Sequence, residues 1–284
     1  MELTSRATGH IEGSAPAPDG IELYWQAWLP PDSPLATVWL VHGGAEHGGR
    51  YDTLIRAMLD RGYAVYAPDL RGHGRSGGRR GSIRRFSDYV GDVDAVVRVA
   101  GAPDTNVFVL GYSLGAIVGA TYALGHQEQL AGVIMAAPAL GPGAGVSRTQ
   151  FAAAGILSAV APRLPLFRQD PASMTQDPEV VRAYRADPLV HHGRFDARVI
   201  GELVATMGSF PDRIADLRLP LLVLHGDADV TADPARSRLA VERAGSATKT
   251  LKVYDTMRHD LFHEPGAERV VRDVTTWLEN RCHR

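Results

Sequence analysis

The chain has 284 residues, 45% of them hydrophobic and 22% charged, with a formal net charge of -2. That length buries a sizeable core in one large domain or two small ones, and the charge balance gives no footing for nucleic-acid binding. Cys282 is the single cysteine, which excludes an intramolecular disulfide and any cysteine-rich metal site.

Residues 1–10 carry no apolar core of the signal-peptide kind. No run approaches the roughly 18 apolar residues of a membrane span, so the chain reads as cytoplasmic. Residues 12–20, rich in Pro, Gly and Ser, read as a turn region. Residues 21–29 alternate loosely and carry Tyr24, Trp25 and Trp28, which predicts a strand closed by Pro30 and Pro31. The near-continuous apolar run 36–41 suits a strand buried on both faces. A glycine-rich loop follows, His42-Gly43-Gly44-Ala45-Glu46-His47-Gly48-Gly49-Arg50-Tyr51. Next come a helix over 51–60, ended by Gly62, and a strand over 63–67. A Gly/Arg loop spans 69–81, and Val90, Val93 and Val97 mark a helix over 88–100.

Residues 107–110 are β-formers that run into Gly111-Tyr112-Ser113-Leu114-Gly115, with small and apolar residues on to Leu124. Strand, sharp turn and helix around Gly-x-Ser-x-Gly describe a nucleophile elbow. Side chains at Gly111 and Gly115 are excluded because strand and helix backbones approach closely there. The turn lifts the Ser113 hydroxyl clear of the sheet, beside a helix N-terminus that favours negative charge. Residues 130–137 are another buried strand. Strands alternating with helices predict a parallel sheet with helices on both faces.

After Pro138 the rhythm breaks. Residues 139–218 show helical stretches at 151–160, 179–186 and 197–207, separated by prolines, and no clear strand. They read as a helical cap inserted over the carboxyl end of the sheet, between core segments 1–138 and 219–284. The pattern resumes with a strand over 220–225. Asp233-Pro234 caps a helix running to Arg243. A strand over 248–254 and a closing helix over 268–278 end the chain.

A serine hydroxyl needs a base, and a histidine base needs a carboxylate to hold its tautomer. In the chain order that accompanies this elbow, acid and then histidine follow the serine. His259, His263 and His283 lie late enough. His283 is in the tail, and His263 falls one helical turn on and reads as a surface residue. His259 follows the strand 248–254 and a short loop, which places it at the sheet edge where Ser113 stands. For the acid, Asp233 is already used as a cap and Asp227 makes turn hydrogen bonds. Asp229, three residues past Gly226, points back across the edge. The oxyanion requires N–H donors; the backbone of Leu114 supplies one and that of Gly44 the other.

Other signals lead elsewhere. Gly72-His73-Gly74-Arg75-Ser76-Gly77 matches a dinucleotide fingerprint literally, but Gly78-Arg79-Arg80-Gly81 continues the loop where a helix should open. Adjacent His191 and His192 point different ways and lack further ligands for a metal. Arg71, Arg75, Arg79, Arg80, Arg84 and Arg85 form a basic cluster, read as a solvated rim that suits anionic lipid surfaces. Trp39 and Tyr112 read as core.

The chain resembles the monoacylglycerol lipases of the α/β-hydrolase superfamily, the bacterial members in particular. The resemblance covers most of the length. It rests on the His42–Tyr51 block, the block from Asp69 to Gly77, the elbow, Asp187-Pro-Leu-Val-His-His-Gly193, and the Asp229 and His259 segments. It implies an α/β-hydrolase fold with a mostly parallel eight-stranded sheet and a mobile apolar cap over an acyl tunnel. It also implies that Glu46 and Arg50 form the glycerol end of the site. Some relatives carry a histidine three residues after the catalytic one; here that position is Phe262, with His263 beside it.

The expectation is a serine hydrolase cleaving monoacylglycerol to fatty acid and glycerol. Ser113, Asp229 and His259 are catalytic, Gly44 and Leu114 form the oxyanion hole, and neither metal nor organic cofactor is required. A lysophospholipase, a short-chain carboxylesterase, a proline-specific peptidase and a non-enzymatic ligand-binding relative are the alternatives. The expected partners are a small ester and, peripherally through the cap, a lipid surface; oligomeric state is not legible.

Overall fold

The computed structural model describes residues 9–103, 106–142 and 148–282. The first part of the chain holds β1 (Gly9–Pro16), β2 (Glu22–Leu29), β3 (Ala36–Val41), α1 (Asp52–Leu59), β4 (Tyr63–Pro68), α2 (Ser87–Val99), β5 (Val107–Tyr112), α3 (Leu114–Gly125) and β6 (Gly132–Ala136). Then come α4 (Arg148–Val160), β7 (Pro165–Phe167), α5 (Pro171–Met174), α6 (Pro178–Ala186), β8 (Phe195–Asp196) and α7 (Ala197–Arg213). The last part holds β9 (Leu221–Gly226), α8 (Pro234–Arg243), β10 (Lys249–Tyr254) and α9 (Ala267–Cys282).

Eight strands form one sheet in the order β1-β2-β4-β3-β5-β6-β9-β10. It is parallel except where β2 pairs with β1 and with β4. Because successive side chains on a strand point to opposite faces, the apolar runs fill two cores at once. Along β3, Trp39 and Val41 enter one core, while Val38 and Leu40 enter the other. The first core is closed by Val93 and Val96 of α2 and Ile117 of α3; the second by Leu54 and Met58 of α1 and Val274 and Leu278 of α9. This is the two-faced, mostly parallel sheet read from the sequence.

Two readings need correction. Residues 12–20 were expected to be a turn region, yet β1 occupies most of them and pairs antiparallel with β2 at the sheet edge. Its glycine has a packing reason: a Cβ on Gly13 would fall 2.5 Å from Trp25 Cζ2, so the indole lies flat across the strand. Pro16 ends the strand, where proline costs the ladder least. Second, residues 139–218 do contain strands: β7 and β8 pair antiparallel. At three and two residues they are too short for a period of two to register. The predicted helices are present as α4, α6 and α7, with α7 running on to Arg213 past a proline at 211. α4 crosses α7 at Gly201, where a Cβ would fall 2.2 Å from Ser158 Cβ. Among the described residues, no helix is long and apolar enough to cross a membrane.

Candidate active site

Ser113 is the single residue between β5 and α3, with φ +53° and ψ −114°. The glycines around it are sterically required. A Cβ on Gly111 would lie 2.2 Å from Gly115 O, and one on Gly115 would lie 2.1 Å from Val41 O. The turn is pinned to the next strand by the Ser113 N–H, which donates to Ala136 O at 2.9 Å.

The sheet then delivers two more side chains to the same edge. His259 follows β10 and is buried; its Nε2 accepts from the Ser113 hydroxyl at 2.8 Å. Its Nδ1–H donates to Asp229 Oδ2 at 2.6 Å. The turn after β9 and the His259 loop lie against each other at Gly226, where a Cβ would fall 2.2 Å from Met257 O. Asp229 Oδ1 takes the backbone N–H groups of Thr231 and Ala232, at 2.7 and 3.0 Å. Burial alone would raise the proton affinity of the Asp229 carboxylate. The contacts with His259 and His225 outweigh it and hold the carboxyl well below the usual carboxylate range. The rival carboxylates stand elsewhere. Asp227 is exposed and accepts the Thr256 N–H at 2.6 Å, and Asp233 caps α8 through the Ala235 N–H. His283 lies outside the described residues.

The loop after β3 passes beside the elbow. A Cβ on Gly44 would sit 3.8 Å from Leu114 Cδ2 and 3.7 Å from Phe195 of β8. As the first residue of α3, Leu114 has no intrahelical acceptor for its N–H. His42 fixes the loop's exit from the strand: its Nδ1–H donates to Gly43 O at 2.7 Å and its Nε2 accepts the Leu70 N–H at 2.9 Å. Burial disfavours a charge on that ring.

The hydrolase family described as serine aminopeptidase, S33, matches residues 32–266. The chain belongs to that family of α/β-hydrolases. It is 39% identical over 261 residues to a monoacylglycerol lipase of Mycolicibacterium smegmatis, covering 91% of this chain and 93% of the relative. The crystal structure of a Paleococcus ferrophilus monoacylglycerol lipase superposes with a TM-score of 0.80 at 28% identity, over 97% of this chain and 99% of that one. A soluble variant of Saccharomyces cerevisiae monoglyceride lipase, in complex with a substrate analogue, shares the fold with a TM-score of 0.82 at 22% identity, over 93% of each chain.

In this S33 hydrolase Glu46 has a structural task that its spacing from Arg50 did not show. Its side chain is 1% exposed and turned into its own loop. Oε1 takes the Gly43 N–H at 2.8 Å and the Tyr51 hydroxyl, and Oε2 takes Arg50 Nη1. Glu46 therefore braces the loop, with both carboxylate oxygens engaged by groups of the loop itself. Arg50 is 9% exposed, with its guanidinium over the Tyr184 ring and 3.8 Å from Asp260. Glu46→Gln is expected to leave a buried guanidinium short of a partner and to destabilise the fold by on the order of 3 kcal/mol. Activity on a monoacylglycerol and on a p-nitrophenyl ester of the same chain should fall together, because the loop serves both. A loss confined to monoacylglycerol would restore the direct role.

His263 is also corrected from a surface residue to a partly buried clamp. Its Nδ1 meets Asp260 Oδ1 and its Nε2 meets Arg50 O, both at 2.7 Å. Burial opposes a charge on it, but the Asp260 carboxylate prevails and raises its proton affinity. Phe262, at the position where some relatives carry histidine, packs on Tyr51 and Tyr112. Other elements reach the same loop. His47 pairs with Asp187 at 2.9 Å, and the His191 N–H donates to Ala45 O at 2.7 Å. Asp69 receives the N–H groups of Gly48 and Arg75. Arg71 departs from the rim reading: it is buried between Asp19 and Asp92. The residue most directly missed is His225, the penultimate residue of β9, which also reaches Asp229. Nothing in an apolar strand run marks its final histidine as a partner of the acid.

Proposed function

We propose that this hydrolase cleaves monoacylglycerol to fatty acid and glycerol through an acyl-enzyme. The observation that carries the chemistry is the continuous chain from Ser113 Oγ to His259 Nε2 at 2.8 Å and from His259 Nδ1 to Asp229 at 2.6 Å. Ser113 Oγ attacks the ester carbonyl carbon while its proton passes to His259 Nε2. The Gly44 and Leu114 N–H groups receive the oxyanion. Collapse breaks the bond to the glycerol oxygen, which takes the proton from His259. Water then attacks the acyl-enzyme with His259 as base again; the bond to Ser113 Oγ breaks, Ser113 takes the proton back from His259, and the fatty acid leaves. Asp229 holds the imidazole tautomer throughout. Arg50 gives one donor to Glu46 and retains others; it is the proposed contact for the leaving glycerol.

The substrate class is supported by the relatives named monoacylglycerol lipase. A panel of mono-, di- and triacylglycerols, lysophospholipids and aminoacyl amides tests it. The monoacylglycerol is expected to give the highest kcat/KM; a higher value on a lysophospholipid or an amide would refute the reading.

Residues 139–218 are the proposed cap, and peripheral contact with lipid is its proposed second task. Ile156 and Val160 of α4 are 66% and 73% exposed, and Leu164 and Phe167 are 44% and 42% exposed, an apolar ridge that water solvates poorly. Arg79, Arg84, Arg163 and Arg198, together with the Arg71–Asp19 pair, line a cavity of about 470 Å³ beside Pro162, and this excess of positive charge supports an anionic lipid as the contact. Replacing Ile156 and Leu157 by serine is expected to lower kcat/KM for long-chain monoacylglycerols by roughly tenfold more than for short ones. Equal losses on both would reduce this surface to a structural role.

A further inference from the structure

Asp229 does not serve His259 alone. Its Oδ2 lies 2.6 Å from His259 Nδ1 and 3.0 Å from His225 Nε2. His225 is wholly buried, and its Nδ1 lies 2.7 Å from the hydroxyl of Ser237, itself wholly buried on α8. The Ala232 carbonyl, 3.4 Å from His225 Nε2, is a longer second acceptor.

The inventory of donors and acceptors fixes the protons along this line. An ionised Asp229 only accepts, so both histidines donate to its Oδ2. A neutral His225 that donates from Nε2 accepts at Nδ1, and the Ser237 hydroxyl is the donor placed there. The order is Ser237 to His225 to Asp229 from one side, and Ser113 to His259 to Asp229 from the other. Two serines, Ser237 buried and Ser113 partly exposed, and two buried histidines thus converge on one carboxylate oxygen.

We propose that His225 is a positioning residue for the hydrolysis, and that Ser237 sets its tautomer. The proposal rests on reading Ser113, Asp229 and His259 as the reacting set. Its first effect is geometric. The terminal torsion of an aspartate is soft. The Thr231 and Ala232 N–H groups hold Oδ1, and His225 holds Oδ2 in the plane that His259 needs. Its second effect is electrostatic. A donor on Oδ2 takes up part of the negative charge that the carboxylate turns toward the His259 imidazolium. The other groups facing this pair do not duplicate that role. Tyr112 of β5 packs its ring 5.3 Å from the His259 ring, and its hydroxyl has no hydrogen-bond partner among the described residues. Asp260, beside His259 in sequence, is turned to His263 and Arg50. Ser237 brings no charge.

The test is the pH dependence of kcat/KM on a soluble p-nitrophenyl ester, with Tm measured in parallel, for His225→Leu, His225→Gln and Ser237→Ala. Without the donor, the carboxylate presents its full charge to His259. The acid limb of the profile is therefore expected to move to higher pH by about 0.5–1 unit in His225→Leu, with kcat down roughly tenfold. His225→Gln keeps an N–H for Oδ2 and should restore most of both. Ser237→Ala should move the limb in the same direction by less, and with His225→Gln it carries the test if the leucine variant fails to fold. An unmoved acid limb in all soluble variants, with losses that track Tm, would overturn the proposal and leave His225 as packing. Wild-type turnover in Ser113→Ala would instead overturn the reacting set on which it rests.

Discussion

Ser113→Ala is expected to lose nearly all turnover while keeping close to wild-type Tm, since one hydroxyl leaves a partly exposed turn and only its bond to His259 is removed. His259→Ala should cost about as much. The members of such a set act as a unit, so each single loss is on the order of 10⁶ in kcat by the subtilisin precedent. The geometry explains the equivalence. Without His259, the Ser113 hydroxyl has no acceptor at 2.8 Å; without Ser113, the base has nothing to deprotonate. Single-turnover measurement with a chromogenic ester, alongside fluorophosphonate labelling of the wild type at Ser113, checks both variants. Substantial residual activity in either would show that another nucleophile or base carries the reaction.

Asp229→Asn should keep the fold and lose roughly 10⁴ in kcat, and the surrounding donors say why. The Thr231 and Ala232 N–H groups at 2.7 and 3.0 Å are fixed backbone donors. They select the amide oxygen for the Oδ1 position and leave the NH₂ where Oδ2 was. His259 must then accept at Nδ1 and carry its proton on Nε2, where it repels the Ser113 hydroxyl proton instead of accepting it. Asp227→Asn makes the contrast, because Asp227 is exposed and only receives the Thr256 N–H. It should change kcat by less than about twofold. Reversed results would move the acid role to Asp227.

The parts of the site legible in the sequence are those whose constraints are local. Gly111 and Gly115 stand at fixed offsets from Ser113 because backbone contacts of 2.2 and 2.1 Å would otherwise form. Such requirements leave a pattern any reader can find. The acid and the histidine follow strands of a regular rhythm, so the chain order alone places them at one edge. The parts that were not legible depend on a distant neighbour. Gly13, Ser14 and Pro16 look like a turn until β2 pairs with them and Trp25 is laid across Gly13. His263 sits one helical turn after His259 and reads as surface until the Arg50 carbonyl, 213 positions away, comes to meet it. Glu46 and Arg50 were read together as the glycerol end of the site, but four residues of spacing cannot say that the Gly43 N–H and Tyr51 hydroxyl also claim the carboxylate.

The conformation of Ser113 has a consequence for how this protein tolerates change. At φ +53° a side-chain-bearing residue carries on the order of 1–3 kcal/mol of strain, sustained by the strand and helix that enclose it. Glycine would occupy that conformation at the least cost, and glycine has no hydroxyl. Selection for folding and selection for turnover thus favour different residues at one position. An unscreened drift toward stability would be free to discard the nucleophile.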